Sequence, residues 1–169
     1  MGKLEVVGLV AALAGIASVQ SMEAPVEDRL IETTGSLMSM THSEFETWCE
    51  RNGATMTETL DDKGAGKVTC AWVEDGDGGE HAWHAALHFD GIHQTPVKAD
   101  AGLVEASEST VIRLVNNEFG GHDMNTGEGF PVWEIELEGR PGRLTVAPFE
   151  DITLVRMARE DRPAVLSMR

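Results

Sequence analysis

Basic residues are scarce in this sequence. Four lysines and nine arginines stand against 29 acidic residues, which gives a formal net charge of -16. Such a field repels phosphate backbones and anionic lipid headgroups. We therefore expect no nucleic-acid partner, and no binding of the folded domain to an anionic membrane surface. The acidity is spread along the whole chain, which favours a high-salt setting; the alternative is the ordinary acidity of a soluble protein.

The sequence also lacks an apolar run long enough to cross a bilayer. Its longest run, residues 6–19, has fourteen residues, whereas a membrane-spanning helix needs about 20. The length suits a secretory signal with a cut after Ser21. We therefore expect an extracytoplasmic or secreted protein. The alternatives are a partner-bound apolar helix in a cytoplasmic or particle-associated protein, and a later start codon such as Met22 or Met38.

Signatures of cofactor binding and catalysis are missing as well. The sequence contains no G-x-G-x-x-G after a predicted strand, no G-x-x-x-x-G-K-[ST] loop and no G-x-S-x-G elbow. Carboxylates are so frequent that a pair of them carries little signal for acid–base chemistry. We predict a protein with no cofactor and no enzymatic activity.

The pattern of apolar residues predicts two similar halves. In the first half, Thr41 or Ser43 caps a helix over about 43–52. Three segments with strand-like alternation follow it, at 54–60, 67–74 and 81–89. The second half repeats this order, with a helix over 103–119 and strands over 132–138, 143–147 and 152–157. We predict an α+β fold, an antiparallel sheet with two helices packed on it, and suggest tandem αβββ halves.

The same patterns divide the chain into four parts. Residues 1–21 are a signal peptide or apolar N-terminal segment, and residues 22–40 are a linker or contain a short strand over 29–33. Residues 41–158 form the α+β domain, and residues 159–169 a loose C-terminal tail.

Both cysteines are predicted to face the core. Cys49 lies on the apolar face of the first predicted helix, and Cys70 on the core face of the second predicted strand. In an exported protein this placement predicts a disulfide from helix to sheet. A pair of buried, reduced thiols is the alternative.

The densest group of histidines lies in the third predicted strand. His84 and His88 share one face of that strand, about 13 Å apart at a strand rise of about 3.3 Å per residue. That distance is too long for one ion, whereas a helix would bring His81, His84 and His88 to one face as zinc ligands. We therefore expect a solvated or partner-facing surface here, with metal binding as the alternative.

Two acidic turns resemble the start of a calcium loop. They begin at Asp75 and Asp123, and the second continues with Asn125 and reaches Glu134 at the twelfth position. Neither turn has the glycine required at the sixth position, so ordinary turn chemistry explains both, and a calcium site is the alternative.

These observations favour a non-enzymatic binding or assembly module with an unidentified protein partner. Two other hypotheses stay open at this point. One is a structural component of a larger particle, such as a virion or surface layer from a high-salt setting. The other is a small metal-dependent hydrolase that uses the histidine-rich strand.

Overall fold

An antiparallel sheet of eight strands, with three helices on it, forms the fold in the computed structural model, which describes residues 25–76 and 78–160. The helices are α1 (Asp28–Leu37), α2 (His42–Arg51) and α3 (Glu108–Phe119). The strands are β1 (Thr57–Leu60), β2 (Ala65–Gly76), β3 (Gly79–Asp90), β4 (Lys98–Val104), β5 (Met124–Asn125), β6 (Pro131–Leu137), β7 (Arg140–Phe149) and β8 (Ile152–Arg159). The predicted α+β class is confirmed. The predicted N-terminal segment 1–21 and residues 161–169 of the predicted tail lie outside the described residues.

Each half of the chain contributes four neighbouring strands to the sheet, in the order β1-β2-β3-β4-β8-β7-β6-β5. Two helices precede the first set of four strands and one helix precedes the second, so the halves have the orders ααββββ and αββββ and not the suggested αβββ. The halves meet at β4 and β8, which pair antiparallel from Lys98 opposite Ala158 to Val104 opposite Ile152. The helix predicted over 103–119 is present as α3, but it begins only at Glu108. Its predicted start at residue 103 was wrong, because Leu103 and Val104 belong to β4, which is bonded to a strand on each side.

Residues 28–37, predicted as linker or short strand, form the helix α1. Its buried face consists of Leu30, Ile31, Thr34 and Leu37, and it packs on β4 and β8. The buried Thr34 hydroxyl donates a hydrogen bond to the Leu30 carbonyl over 2.7 Å, so its polar group has a partner inside the core. The linker prediction was wrong because the apolar side chains of this segment are buried on β4 and β8, where the two halves meet.

Helix α2 begins where its capping box predicts. The Thr41 amide donates to the Glu44 carboxylate over 2.8 Å, and the Glu44 amide donates to the Thr41 hydroxyl. Phe45 and Cys49 are buried on the face toward β2, and Cys49 is joined to Cys70 in a disulfide. The disulfide therefore fixes this helix to the sheet.

All three helices lie on one face of the sheet. Helix α2 packs on β2, α1 on β4 and β8, and α3 on β6 and β7. The alternation of β3 is as predicted: Trp83, Ala85 and Leu87 are buried toward the helices, while His84 and His88 point the other way. No helix of the described residues covers the second side of the sheet. Among residues 25–76 and 78–160, no helix is long and apolar enough to cross a membrane.

Replacing a buried leucine of α1 tests whether residues 28–37 belong to the folded unit. We expect Leu30→Ala to lower the free energy of unfolding by about 3 kcal/mol, because Leu30 is fully buried. The exposed Glu32→Ala is the matched control and should change it by less than about 0.5 kcal/mol. If both variants change the unfolding free energy equally and only slightly in urea denaturation, residues 28–37 are a linker and not part of the folded unit.

Removing the disulfide tests its contribution to stability. The cysteines are 21 residues apart, so Cys49→Ala with Cys70→Ala should cost about 3 kcal/mol of unfolding free energy on the chain-entropy argument. Reductant should destabilise the wild type by a similar amount and leave the double variant unchanged. If reductant leaves the urea midpoint of the wild type unchanged, the disulfide between Cys49 and Cys70 is contradicted.

Candidate functional site

The helix-free side of the sheet, here called the uncovered face, presents two groups of side chains with different chemistry. Residues two apart on a strand share a face, so the pairing of the strands defines both groups. One is an ionic cluster that consists of Lys67, His88, Lys98, Asp100 and Arg156. The other is an apolar row that consists of Val73, Ala82, Val104, Ile152 and Phe149.

The centre of the ionic cluster is the carboxylate of Asp100, which is only 4% exposed. Asp100 on β4 lies directly opposite Arg156 on β8. Arg156 donates from Nε to Oδ1 over 2.6 Å and from Nη2 to Oδ2 over 3.2 Å. The Nε2 atom of His88 lies 3.4 Å from Oδ2. Such a two-pronged pair, with one partner buried, fixes the geometry of both side chains.

The surroundings of Asp100 keep its carboxyl ionised. Burial alone would raise the pKa of Asp100, but hydrogen bonds from His88 and Arg156, together with the positive charge of Arg156, outweigh this effect and lower the pKa to about 2. The hydrogen bond to Asp100 raises the pKa of Arg156 in turn. Asp100 is therefore a fixed negative charge at neutral pH.

Two lysines lie beside this pair. Lys67 on β2 and Lys98 on β4 flank His88 on β3, each directly opposite it. Neither ammonium forms an ion pair or hydrogen bond with a residue of 25–76 or 78–160. Burial lowers the pKa of Lys98, and the charges of Arg156 and Lys67 add to this effect against that of Asp100. The cluster thus has three cationic side chains for one carboxylate, and the charge of Glu128 outside the cluster acts on Arg156.

His84 lies on the same face, one row closer to the apolar side chains. It is opposite Ala71 on β2 and Gly102 on β4. Its Nδ1 atom is buried and has no hydrogen-bond partner in the described part of the chain. Burial lowers the pKa of His84, and the charge of Lys67 acts in the same direction. His84 is therefore held in its neutral form near pH 7.

The predicted metal ligands are not brought together. His84 and His88 share the uncovered face, but no three His, Cys, Asp or Glu side chains among residues 25–76 and 78–160 are arranged to hold a metal ion. In the second acidic turn, the Asp123 carboxylate accepts from the Glu134 amide over 2.8 Å, and Asn125 belongs to β5. That turn holds its carboxylate by backbone bonding. Residue 77 of the first acidic turn lies outside the described residues.

The apolar row crosses five strands, and Ala82 and Val104 in its middle follow directly on the pair of Trp83 with Leu103. Val73 lies opposite Ala82, Val104 opposite Ile152, and Ile152 opposite Phe149. Val73 is 60% exposed and Phe149 is 61% exposed, although both are large hydrophobic side chains on a sheet face. Contiguous apolar surface of this kind marks an interaction site more often than single exposed residues do.

A glycine lets the middle of the uncovered face stay flat. A Cβ atom on Gly102 would lie 2.6 Å from both Ile152 Cγ2 and Leu154 Cδ2. Any side chain at this position would force the branched side chains of β8 away from β4. Gly102 therefore supports the packing beside the apolar row.

A concave region lies away from the uncovered face, at the start of α2. It is a solvent-open cavity of about 760 Å³. It contains two histidine–carboxylate contacts, His42 with Glu58 at 2.8 Å and His93 with Asp90 at 2.7 Å. Amide donors of His93 and Ile92 lower the pKa of Asp90, with the His93 ring adding to them. The first contact joins α2 to β1, and Asp90 also accepts the amides of Ile92 and His93 in the loop after β3.

Comparisons of this chain with protein-family models, with curated proteins and with solved structures found no match.

Sequence reasoning found part of this site and missed the rest. The alternation of β3 placed His84 and His88 on one face. Lys67, Asp100 and Arg156 were not singled out, because they join the histidines only through the pairing of β2, β4 and β8. The local signal that existed was the polar Arg156 between the buried Val155 and Met157 in the last strand.

The ionisation of Asp100 can be tested through the pH dependence of stability. Its pKa is lowered in the folded state, so its contribution is complete above about pH 4 and is lost as the pH falls through about 2. We expect Asp100→Asn to lower the unfolding free energy by on the order of 2 kcal/mol near pH 7, with a much smaller difference near pH 2.

The exposed Asp62→Asn, which removes the same charge, is the control for this measurement and should have little effect at either pH. Urea denaturation at both pH values gives the comparison. A loss that stays the same at low pH would contradict the role assigned to the carboxylate.

Proposed function

We propose that this chain is a non-enzymatic binding module that works outside the cytoplasm and contacts a protein partner through its uncovered face. The apolar row is the observation that carries the proposal. A side of a sheet that only meets water needs no large apolar side chains, yet Val73 and Phe149 are exposed there by more than half.

The shape of this face favours a macromolecular partner. The apolar row extends across β2, β3, β4, β8 and β7, which is about 19 Å at a strand spacing of about 4.8 Å. Side chains along it are held by regular strands, so the surface is ordered before a partner arrives. Rigid, preorganised surfaces lose little conformational entropy on binding.

The ionisation state of the ionic cluster supports binding over catalysis. A general base works best when its pKa lies near the working pH. The pKa of Asp100 is instead held at about 2 by Arg156 and His88. In this arrangement Asp100 orients the cations of the face and does not exchange protons near neutral pH.

The disulfide supports a location outside the cytoplasm. Structural disulfides persist in oxidising compartments and are rare in the cytosol. Cys49 and Cys70 form such a bond between α2 and β2. The apolar run at residues 6–19, with its signal-like length, agrees with export.

A single charge on the apolar row tests the proposal. We expect tagged full-length protein to recover a partner from the culture medium of its source, and Phe149→Asp to reduce that recovery at least tenfold, because a buried, unpaired charge at an interface costs several kcal/mol. Quantitative mass spectrometry of the recovered proteins is the measurement.

Ile92→Asp is the matched control, since Ile92 is 83% exposed but lies in the loop between β3 and β4. It should recover the partner as the wild type does. Equal recovery by Phe149→Asp would reject the uncovered face as the binding surface. Recovery from the cytosolic fraction alone would reject the extracytoplasmic location.

A further inference from the structure

We infer that the ionic cluster recognises carboxylate side chains in an extended acidic segment of the protein partner. The inference rests on the proposed function and adds the chemistry of the partner. It follows from the three cationic side chains that one cluster of this face brings together in a strongly acidic chain.

The charge of the cluster is opposite to that of the protein. The whole sequence has 29 acidic residues and 13 basic ones, yet the cluster holds Lys67, Lys98 and Arg156 with one carboxylate, that of Asp100. The negative charge of Glu128, outside the cluster, acts on Arg156, so the two lysines carry the cluster's excess of positive charge. A local positive patch attracts negative groups of a partner and sets their register.

Neither lysine has, among the described residues, the ion pair that a structural role would require. Lys98 is half-buried, and burying an ammonium without a counter-ion costs free energy. Lys67 is exposed and equally free of ion pairs with the described residues. Asp100 is already engaged by Arg156 and His88 and does not neutralise either lysine fully. An incoming carboxylate would remove this cost.

The geometry of the cluster suits an extended segment. Lys67 and Lys98 are separated by one intervening strand, which places their backbones about 10 Å apart. A chain that runs along β3 would therefore pass between the two ammonium groups. In an extended chain the side chains at every second position point to the same side, so alternate carboxylates would face the sheet.

The partner also has to match the apolar row. On β3, Ala82 of the row and His88 of the cluster are six residues apart, which is about 20 Å. A segment of about seven residues that carries apolar side chains at one end and acidic ones at the other spans both. A uniform polyanion such as nucleic acid would not fit the apolar row and would be repelled by the rest of the protein.

A synthetic peptide gives a direct test with the full-length protein. The probe is a fluorescent seven-residue peptide with leucine at alternate positions of one half and glutamate at alternate positions of the other half, and its twin has glutamine in place of every glutamate. We expect Lys67→Gln with Lys98→Gln to weaken binding of the glutamate peptide about tenfold. The glutamine peptide should bind the wild type no more tightly than the glutamate peptide binds this double variant. Fluorescence anisotropy at low and near-physiological salt gives the affinities, which should fall with salt.

The control is Lys63→Gln with Arg113→Gln, which removes the same two charges from exposed positions outside the uncovered face. Its affinity should stay within about twofold of the wild type. Lys67→Arg with Lys98→Arg should retain binding, and thermal unfolding of every variant shows that it is folded. Equal weakening by the control pair would overturn the inference, because it would mean that only net charge matters.

Two other occupants of the cluster would also overturn the inference. One is a single-stranded oligonucleotide of the same charge that binds more tightly than the peptide. The other is a second copy of this chain, shown by self-association that disappears in Lys67→Gln with Lys98→Gln. If Phe149→Asp abolishes peptide binding while the lysine variants do not affect it, the inference fails and the proposed function stands. If neither set of variants changes peptide binding, the peptide binds elsewhere and the inference fails, while the proposed function is decided by recovery of the partner.

Discussion

The antiparallel pairing of β4 with β8 is the interaction on which the rest of the structure depends. It joins two four-stranded units into one sheet, and α1 covers the seam from the helix side. On the other side the same register sets Asp100 opposite Arg156 and Val104 opposite Ile152. One strand pair therefore builds the middle of the core, the centre of the ionic cluster and the middle of the apolar row.

The one-sided cover of helices determines how the two faces differ. Toward the helices the strands carry aromatic and aliphatic side chains, and the Cys49–Cys70 disulfide ties α2 to them. Toward the uncovered face they carry small residues near the centre, among them Ala86 and Gly102, with charge at one end and apolar surface at the other. A face with two such ends gives a partner a defined orientation, since reversing the partner would place carboxylates on Phe149 and apolar groups on the lysines.

Local patterns in the sequence predicted the elements whose stability is local. The capping box of α2, the alternation of β3 and the core placement of Cys49 and Cys70 all depend on neighbours within a few residues. The strand β4 and the helix α1 were missed because they are stabilised by contact with β8, more than a hundred residues from α1 along the chain. The ionic cluster was missed for the same reason: its members come from four strands, and only their register brings them together.

Covalent labelling in native material tests the central claim, that the uncovered face is occupied by a partner. An amine-reactive reagent is applied to the protein as it occurs in its source, and again after purification, and labelling of Lys67 and Lys98 is compared with that of Lys63 by mass spectrometry. Lys67 and Lys98 should be protected in native material and labelled after purification, whereas Lys63, in the turn between β1 and β2, should be labelled equally in both. Equal labelling of all three lysines in native material would contradict the account.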